Sequence, residues 1–292
     1  TQSFALEETS PETADYRVQG AAKTAPFLDC VASFGLDELD TARVYCGGDT
    51  ETVLGQVGVR ERFQVSTKVY PEEAGDHARE KLHAKFRESL KALGVSKVRI
   101  FYLHAPDFFT PFEETAKAVD ELYREGLFEQ YNPLMRQVER ELFPCLREYG
   151  IHFYAYNPIA GGFLTGKYRI DDTVPPGSRF DTKTILGSYY REQYWSPLFF
   201  DAVKALKEAA DAEGIELLEA SIRWMKHHSG LGANDGLIFG ANDQVECLAH
   251  NLKIAVHGQP LPESLVKAFD AAWDKTKAAY HTYFRRDVRY LQ

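Results

Sequence analysis

Four side chains capable of acid–base chemistry fall at or just beyond the ends of strand-like segments. Asp40, Lys68 and His104 each end a short apolar run, and Tyr45 follows shortly after Asp40. In parallel α/β folds the carboxyl ends of the strands collect on one face, where active sites form. We therefore expect these four side chains to form one cluster of acid–base groups.

The residue types in this cluster suggest a division of roles. A buried lysine beside an aspartate stays charged, because the carboxylate offsets its desolvation. A charged ammonium near a tyrosine favours the tyrosinate and lowers the pKa of the phenol from about 10 towards neutrality. Tyr45 would then donate a proton to a substrate oxygen, and His104 would orient the substrate carbonyl or share that proton. The pattern predicts general acid catalysis.

Each of the four residues also has an ordinary structural explanation. Asp40 could cap a helix or lie in a turn, and Lys68 could lie at the surface. His104 could be a hydrogen-bonded core residue, and Tyr45 could serve packing. The arrival of all four at matching positions favours the catalytic interpretation, although spacing alone leaves the alternatives open.

The elements that must position these residues alternate between strand-like and helical patterns from residue 27 onward. Residues 79–93 place four apolar side chains at helical spacing, and residues 63–68, 98–104 and 151–156 have strand-like patterns. Sustained alternation indicates a parallel sheet, open or closed. The polar stretch 170–190 is expected to be a long surface loop. No Gly-, Ser- or Pro-rich linker divides the chain, so residues 1–292 are expected to form a single domain.

Composition describes an ordinary soluble globular chain. The 292 residues are 44% apolar and 26% charged, with a formal net charge of −9. This acidic balance argues against a nucleic-acid partner, and no apolar run approaches the roughly 20 residues of a membrane span. The four cysteines form no CxxC pair, and no signal peptide is visible. A reduced, cytoplasmic chain is therefore expected, with no metal site and no membrane association.

Five motifs, in order, resemble segments of the aldo-keto reductases. They are Asp40-Thr-Ala-Arg-Val-Tyr45 with Gly47-Gly48 and Glu51-x-x-Leu54-Gly55; Ser66-Thr-Lys68; Phe101-Tyr-Leu-His104; Asn157-Pro-Ile-Ala-Gly-Gly-Phe-Leu-Thr-Gly-Lys167; and Tyr283-Phe-Arg285. The last two resemble one branch of the family in particular, the aflatoxin-aldehyde and succinic-semialdehyde reductases. The resemblance covers most of residues 27–285.

The resemblance implies a (β/α)8 TIM-type barrel that reduces aldehydes and ketones to alcohols with NADPH. In such enzymes a Tyr–Lys–Asp–His tetrad assists hydride transfer from the nicotinamide. Carried onto this chain, Tyr45 is the general acid, and Lys68, Asp40 and His104 support it. Tyr45 and His104 would also contact a small-molecule carbonyl substrate. The branch is often dimeric, so a homodimer is the assembly that the resemblance suggests.

The resemblance also implies where the cofactor binds. Tyr156 lies where the family stacks an aromatic ring on the nicotinamide, and the small residues after it let backbone N–H groups approach the pyrophosphate. The segment from Gly240 onward resembles the site of the adenosine 2′-phosphate. The expected contacts are Tyr156, Asn157, Ala160, Gly161, Gly162, Leu164, Gly166, Lys167, Gly240, Ala241, Asn242, Gln244 and Asn251. Arg179 would contact a phosphate or a substrate carboxylate, or else be a solvated loop residue.

The resemblance breaks after Phe128. The family continues there through a strand ending in Ser-Asn, a helix, and a strand with a glutamine, which together hold the nicotinamide carboxamide. This chain passes directly to Glu129, so roughly one βα unit of about 30 residues is unaccounted for. The first barrel strand is not recognisable in residues 1–24 either.

Two accounts of this break stay open. In one, the working molecule contains the segment and forms an intact barrel. In the other, the segment is truly absent, and eight strands cannot close without rearrangement. The second account allows a different function, that of a non-catalytic or impaired NADPH-binding or interaction protein on the same scaffold. A weaker alternative is another barrel enzyme that uses the phosphate-binding face alone.

Overall fold

The computed structural model describes residues 4–5, 18–104, 107, 109–111, 114–115, 132–141, 143–148, 152–176, 178–240 and 244–279. The chain divides into two compact units. The first holds residues 1–128, 240–252 and 288–292, and the second holds residues 129–239 and 253–287. The single domain over residues 1–292 stays a prediction.

The part of the first unit that the structure describes contains five strands in parallel pairings: β1 (Phe4–Ala5), β2 (Val18–Gln19), β3 (Glu38–Asp40), β4 (Gln64–Val69) and β5 (Phe101–Leu103). β1 pairs with β2, and the other three form one sheet in the order β3-β4-β5. The register places Asp40 opposite Ser66 and Lys68 opposite Tyr102. Since parallel strands end on the same side, the ends of β3, β4 and β5 lie next to one another.

The described residues of the first unit include the helices α1 (Gly20–Ser33), α2 (Asp49–Gln56) and α3 (Arg79–Leu93). α3 buries Leu82 and Leu93 and ends at Gly94, whose φ of +67° suits a left-handed C-cap. α2 approaches α3 closely, because a Cβ on Gly55 would lie 2.2 Å from the carbonyl oxygen of Ala92. A glycine is therefore required at this helix contact.

The second unit contains one pair of parallel strands and most of the remaining helices. The strands are β6 (Tyr154–Tyr156) and β7 (Gly236–Ile238). The helices are α4 (Val138–Glu141), α5 (Phe143–Glu148), α6 (Ile185–Tyr194), α7 (Pro197–Ala212), α8 (Leu217–His227) and α10 (Glu263–Thr276). Between α8 and α10, the helix α9 (Val245–His257) begins in residues of the first unit. Short 3₁₀ turns are Tyr45–Gly48, Val59–Glu61, Ala160–Thr165 and Lys277–Ala279.

The core of the second unit is aromatic. Fully buried side chains include Phe153, Phe163, Phe180, Tyr194 and Trp224. The ring centroids of Phe163 and Tyr194 lie 5.8 Å apart in a stacked arrangement. Large rings of this kind contribute much of the apolar area that folding removes from water. Among the described helices, none combines the length and the apolar character that a membrane-crossing helix needs.

Two expectations about the fold need comment. The prediction of a surface loop over 170–190 is wrong at its end, because α6 begins at Ile185 and Phe180 is fully buried. Thr184 caps this helix by accepting a hydrogen bond from the N–H of Gly187 at 2.9 Å. A polar residue that suggests a loop in the sequence therefore stabilises the start of a helix here. The described strands form sheets of two, three and two, so a closed eight-stranded barrel is not complete among the described residues. The break after Phe128 lies outside them.

Candidate active site

The structure brings Asp40, Tyr45, Lys68 and His104 together in the first unit. Asp40 ends β3, Lys68 lies near the end of β4, and His104 directly follows β5. The Lys68 Nζ is 2.5 Å from Asp40 Oδ2 and 5.1 Å from the centroid of the Tyr45 ring. The rings of Tyr45 and His104 lie 5.5 Å apart, edge to face. An ammonium, a carboxylate, a phenol and an imidazole thus share one site.

Lys68 is the buried centre of this cluster. Its side chain is 4% exposed, and Nζ also donates to the carbonyl oxygen of Thr41 at 2.7 Å. Burial lowers the pKa of Lys68, while the carboxylates of Asp40 and Glu51 oppose that shift. The ammonium is therefore held in place by two oxygen acceptors and balanced by nearby negative charge.

His104 is neutral in this environment. Burial, together with the positive charge of Lys68, lowers the pKa of His104 from 6.5 to about 3. Its Nδ1 is buried and has no hydrogen-bond partner among the described residues. A second tyrosine ring, Tyr70, lies 5.7 Å from the imidazole at an interplanar angle of 89°. A neutral imidazole orients a substrate oxygen by a hydrogen bond, and it does not act as a cationic acid near pH 7.

Tyr45 opens a tight left-handed turn. The φ angles are +50° at Cys46, +62° at Gly47 and +101° at Gly48. A Cβ on Gly48 would lie 1.8 Å from Arg43 Nη2, so this glycine is needed both for its backbone angle and for the space it leaves. Burial raises the pKa of the Cys46 thiol to about 11, which keeps this neighbour of Tyr45 protonated. α2 then starts at Asp49.

A second carboxylate beside the cluster, that of Glu51 in α2, contacts residues close in sequence to Tyr45 and Lys68. Glu51 is fully buried. Its Oε2 is 2.7 Å from Arg43 Nη1, and its Oε1 accepts a hydrogen bond from the Thr67 hydroxyl at 2.6 Å. The sequence motif contains Glu51 but does not predict that its carboxylate is buried in an ion pair. The feature of the sequence that could have indicated this is a charged residue close to the apolar positions Val53 and Leu54 of α2.

The turn expected to meet the pyrophosphate lies in the second unit, after Tyr156 and β6. Asn157 and Ala160 have positive φ angles of +64° and +51°, and Gly161 and Gly162 continue the left-handed run. The N–H of Gly161 donates to Asn157 Oδ1 at 2.5 Å, and the N–H of Gly162 donates to the carbonyl of Ile159 at 2.9 Å. These two N–H groups thus shape the turn itself, whereas sequence reasoning assigned them to the cofactor.

Some residues of the segment from Ala160 to Gly166 pack against the core, and others lie beside open space. Ala160 and Leu164 are fully buried in the core of the second unit, so their side chains pack inward. Gly166 lies against Lys207 and Leu217, at 3.2 Å and 3.3 Å from a Cβ placed there. In contrast, no atom of the described residues lies within 4 Å of a Cβ on Gly162. The space beside the Gly162 Cα is therefore open, while its N–H is used within the turn.

Arg179 is half-buried beside the same turn. Its guanidinium lies 5.5 Å from the centroid of the Tyr190 ring, and its Cγ would be 3.1 Å from a Cβ on Gly161. Lys167 is exposed, with Nζ 5.1 Å from the centroid of the Tyr168 ring. Two cations therefore flank a left-handed turn, an arrangement suited to an anionic group.

The remaining expected cofactor residues belong to the first unit. Gly240 is exposed, and Gln244 is exposed just before α9, where its Oε1 accepts a hydrogen bond from Cys247 Sγ at 3.3 Å. Asn251 lies on α9 and is 9% exposed. Ala241 and Asn242 lie outside the described residues. The expected cofactor contacts thus fall on both units, and the four acid–base residues fall on the first.

Comparison with known proteins shows the family. The model of the aldo/keto reductase family matches residues 13–130 and 129–274. The chain belongs to the aldo-keto reductases. This is an oxidoreductase family, so the resemblance found from the motifs is confirmed.

Relatives with assigned names are reductases. An aldo-keto reductase of Pseudocercospora fijiensis is 37% identical over 297 residues, covering 88% of this chain and 99% of the relative. Aldo-keto reductase family 7 member A3 of Homo sapiens is also 37% identical, covering 91% of this chain and 92% of the relative. Aflatoxin B1 aldehyde reductase member 2 of Rattus norvegicus is 34% identical, with coverage of 92% and 85%. These relatives confirm the branch indicated by the sequence.

Solved structures support the fold of this aldo-keto reductase. A glycerol dehydrogenase of Gluconobacter oxydans matches with a TM-score of 0.70 at 18% identity, covering 98% of this chain and 95% of that one. A thermostable aldo-keto reductase matches with a TM-score of 0.61 at 20% identity, with coverage of 86% and 88%. At such identities the likeness concerns the fold alone.

Proposed function

We propose that this aldo-keto reductase reduces aldehydes and ketones to alcohols with NADPH, and that Tyr45 is the proton donor. One observation carries the proposal: the Tyr45 ring lies beside a buried Lys68–Asp40 ion pair and edge-on to His104. Such a site supplies a proton to an oxygen that gains negative charge.

Each residue of the cluster has a distinct role in this proposal. Tyr45 protonates the substrate oxygen, and Lys68 stabilises the tyrosinate that remains. Asp40 keeps Lys68 charged and fixes the direction of its Nζ. His104, which burial keeps neutral, donates or accepts a hydrogen bond at the substrate oxygen and sets its orientation. Arranging these groups before the reaction lowers the cost of the charge that develops.

When bound, the nicotinamide cofactor supplies the hydride that reduces the carbonyl carbon. The open space beside Gly162 and the half-buried Arg179 guanidinium fit a phosphate-bearing group. We propose that Tyr156 contacts the nicotinamide. The turn Ala160–Thr165 would contact the pyrophosphate through backbone N–H groups other than those of Gly161 and Gly162, which form hydrogen bonds within the turn. Gln244 and Asn251 would then meet the adenosine end, together with the residues from Gly240 to Asn242.

Arg179 also bears on the substrate. A guanidinium that is half-buried beside the turn suits a carboxylate, such as that of a semialdehyde. Relatives in this branch are named aflatoxin B1 aldehyde reductases, which supports reactive aldehydes as the broader substrate class. Arg179 could contact either a cofactor phosphate or a substrate carboxylate. The two contacts can be distinguished by comparing KM for aldehydes with and without a carboxylate.

We further propose that the chain lacks about one βα unit after Phe128. The alignment with the Pseudocercospora fijiensis relative runs over 297 positions but covers 88% of the 292 residues, about 257 of them. About 40 positions of that alignment therefore face no residue here, against roughly 30 residues for one βα repeat. The two family-model matches also meet at residues 129–130. An intact mass of 33.1 kDa would support the absence of the segment from the molecule itself.

If the absence of the segment leaves the nicotinamide poorly positioned, the alternative is a non-catalytic or impaired NADPH-binding or interaction protein on the same scaffold. The named relatives are reductases, so this alternative is not favoured. The preference for NADPH over NADH, the cytoplasmic location and the homodimer stay predictions. The closed (β/α)8 barrel that the resemblance implies would require either the segment after Phe128 in the molecule or a rearrangement of the strands.

The proposal is tested with a panel of aldehydes and each reduced nicotinamide cofactor. We expect aldehyde-dependent oxidation of NADPH with one alcohol formed per cofactor consumed. If Arg179 contacts a substrate carboxylate, Arg179→Met should raise KM for a carboxylate-bearing aldehyde by about 10-fold, the loss of one charge-assisted hydrogen bond, and leave KM for a neutral aldehyde unchanged. If Arg179 contacts a cofactor phosphate, the variant should instead raise KM for NADPH with either aldehyde. Arg169→Met, in the same unit and exposed, is the control. NADPH binding without oxidation across the panel would contradict the proposed function and favour the alternative.

A further inference from the structure

A buried ion pair lies beside the acid–base cluster and is not explained by the roles assigned above. Glu51 is fully buried, and Arg43 is 24% exposed. Arg43 Nη1 donates to Glu51 Oε2 at 2.7 Å, and the Thr67 hydroxyl donates to Glu51 Oε1 at 2.6 Å. Both carboxylate oxygens therefore have a donor, as a buried charge requires.

The two donors lie next to the acid–base residues along the chain. Thr67 directly precedes Lys68 in β4, and Arg43 lies two residues before Tyr45. The backbone N–H of Arg43 also donates to the carbonyl oxygen of Lys68 at 2.9 Å. Glu51 thus ties the segment that carries Tyr45 to the strand that carries Lys68.

The guanidinium of Arg43 also packs under the turn of Tyr45. It occupies the space that a Cβ on Gly48, the last residue of that turn, would need. Because Glu51 holds the guanidinium, the side chain of Arg43 cannot move aside without losing its ion pair. The turn Tyr45–Gly48 therefore packs against the Arg43 guanidinium, whose position Glu51 fixes.

The charged groups around the turn of Tyr45 include two ion pairs and Asp49, which follows the turn and acts electrostatically on Cys46. Lys68 pairs with Asp40, and Arg43 pairs with Glu51. His104 adds no charge, since burial keeps it neutral. Glu51 also acts electrostatically on Lys68. Removing one member of the Arg43–Glu51 pair would leave an uncompensated charge beside the turn that begins at Tyr45.

We propose that Arg43 and Glu51 are positioning residues for carbonyl reduction, which hold the turn of Tyr45 against β4 and keep the charge near Tyr45 balanced. The inference rests on the proposed function of Tyr45 as the proton donor. Neither residue touches the reacting atoms in this account; both act through Tyr45 and Lys68.

Opposite charge changes provide the test. Glu51→Gln keeps the shape and an oxygen acceptor for Thr67, and leaves the positive charge of Arg43 unbalanced. Arg43→Met removes that positive charge and leaves Glu51 unbalanced. Tyr45 should ionise at lower pH in Glu51→Gln and at higher pH in Arg43→Met, each by at least about half a pH unit. The double variant should return close to the wild-type pH.

The ionisation of Tyr45 is read from tyrosinate absorbance in a pH titration of the full chain. The same titration of each protein with Tyr45→Phe added is subtracted, so no substrate is needed. The alkaline limb of kcat should move in the same directions as the titration. Arg62→Met is the control, because it removes a cation from an exposed ion pair with Asp29 and should shift neither readout.

The outcomes separate a positioning role from a structural one. If Arg43→Met does not fold, as judged by circular dichroism, the comparison of Glu51→Gln with the charge-neutral double variant still decides. Shifts in the same direction, or no shift in Glu51→Gln, would overturn the inference. Wild-type protein that reduces no aldehyde would refute the proposed function, while the titration would still test the charge balance.

Discussion

Removing either member of the Lys68–Asp40 pair should destabilise the protein unequally. Lys68 is 4% exposed and Asp40 is 18% exposed, with Nζ and Oδ2 2.5 Å apart. Asp40→Asn leaves a buried ammonium without its main counter-charge. Lys68→Met leaves a carboxylate that water can partly reach, and puts an apolar side chain of similar length in the buried position.

The burial of Lys68 and Asp40 determines how much unfolding free energy each substitution is expected to cost. Breaking a buried pair by removing one partner costs about 3 to 5 kcal/mol. Glu51 still acts on Lys68 after Asp40→Asn, so we expect a loss near the lower end, about 3 kcal/mol. Lys68→Met should cost less, about 1 to 2 kcal/mol, because the Asp40 carboxylate that it leaves unpaired is 18% exposed and water can partly solvate it. The double variant should lose at least about 1 kcal/mol less than the sum of the single losses.

Urea denaturation followed by far-ultraviolet circular dichroism measures these free energies of unfolding. The titration of Lys68 adds a sharper outcome. Burial lowers its pKa, so in Asp40→Asn the native state releases a proton that the unfolded chain keeps up to about pH 10.5. The loss of unfolding free energy in Asp40→Asn, relative to the wild type, should therefore become smaller between pH 7 and pH 9. Equal single losses, strict additivity, or a deficit that does not change with pH would refute the reasoning.

Two further predictions concern the first unit. Gly48→Ala should cost at least about 2 kcal/mol, because its φ of +101° and the fixed Arg43 guanidinium both oppose a Cβ; Gly47→Ala, with φ +62° and open space, should cost only about 1 kcal/mol. Equal changes in Tm would contradict this account. His77 is fully buried, both its ring nitrogens are without partners among the described residues, and burial lowers its pKa. Since the unfolded chain binds this proton below pH 6.5, stability should fall between pH 7.5 and pH 5.5 by up to about 1.4 kcal/mol. Urea unfolding of His77→Gln should show a correspondingly smaller pH dependence, and an unchanged one would be evidence against it.

The acid–base cluster was predictable because its signals are local. An ionisable residue at the end of a strand-like run is visible in the sequence, and the topology of parallel strands then brings such ends together. α3 was predictable for a similar reason: its apolar spacing and the glycine after Leu93 mark its face and its end. Patterns that repeat along a short stretch of chain are the ones that a sequence shows directly.

Contacts between distant residues were not predictable. The pairing of Arg43 with Glu51 depends on how α2 packs, and no spacing rule specifies it. Tyr194 is fully buried and accepts hydrogen bonds from Asn132 and Asn157, each at 3.1 Å. Asn157 was expected to face the cofactor, and its contact with Tyr194 depends on residues far along the chain. Only the folded arrangement brings such partners together.

The measurement that tests the central claim most directly is the effect of Tyr45→Phe on aldehyde reduction. The change removes one hydroxyl and keeps the ring that packs against His104. Tyr70→Phe makes the same change on the other ring beside His104 and is the matched control. We expect Tyr45→Phe to lower kcat by about 100-fold or more, the contribution of a general acid, with NADPH affinity unchanged. A Tyr45→Phe variant that turns over at the wild-type rate would contradict the account.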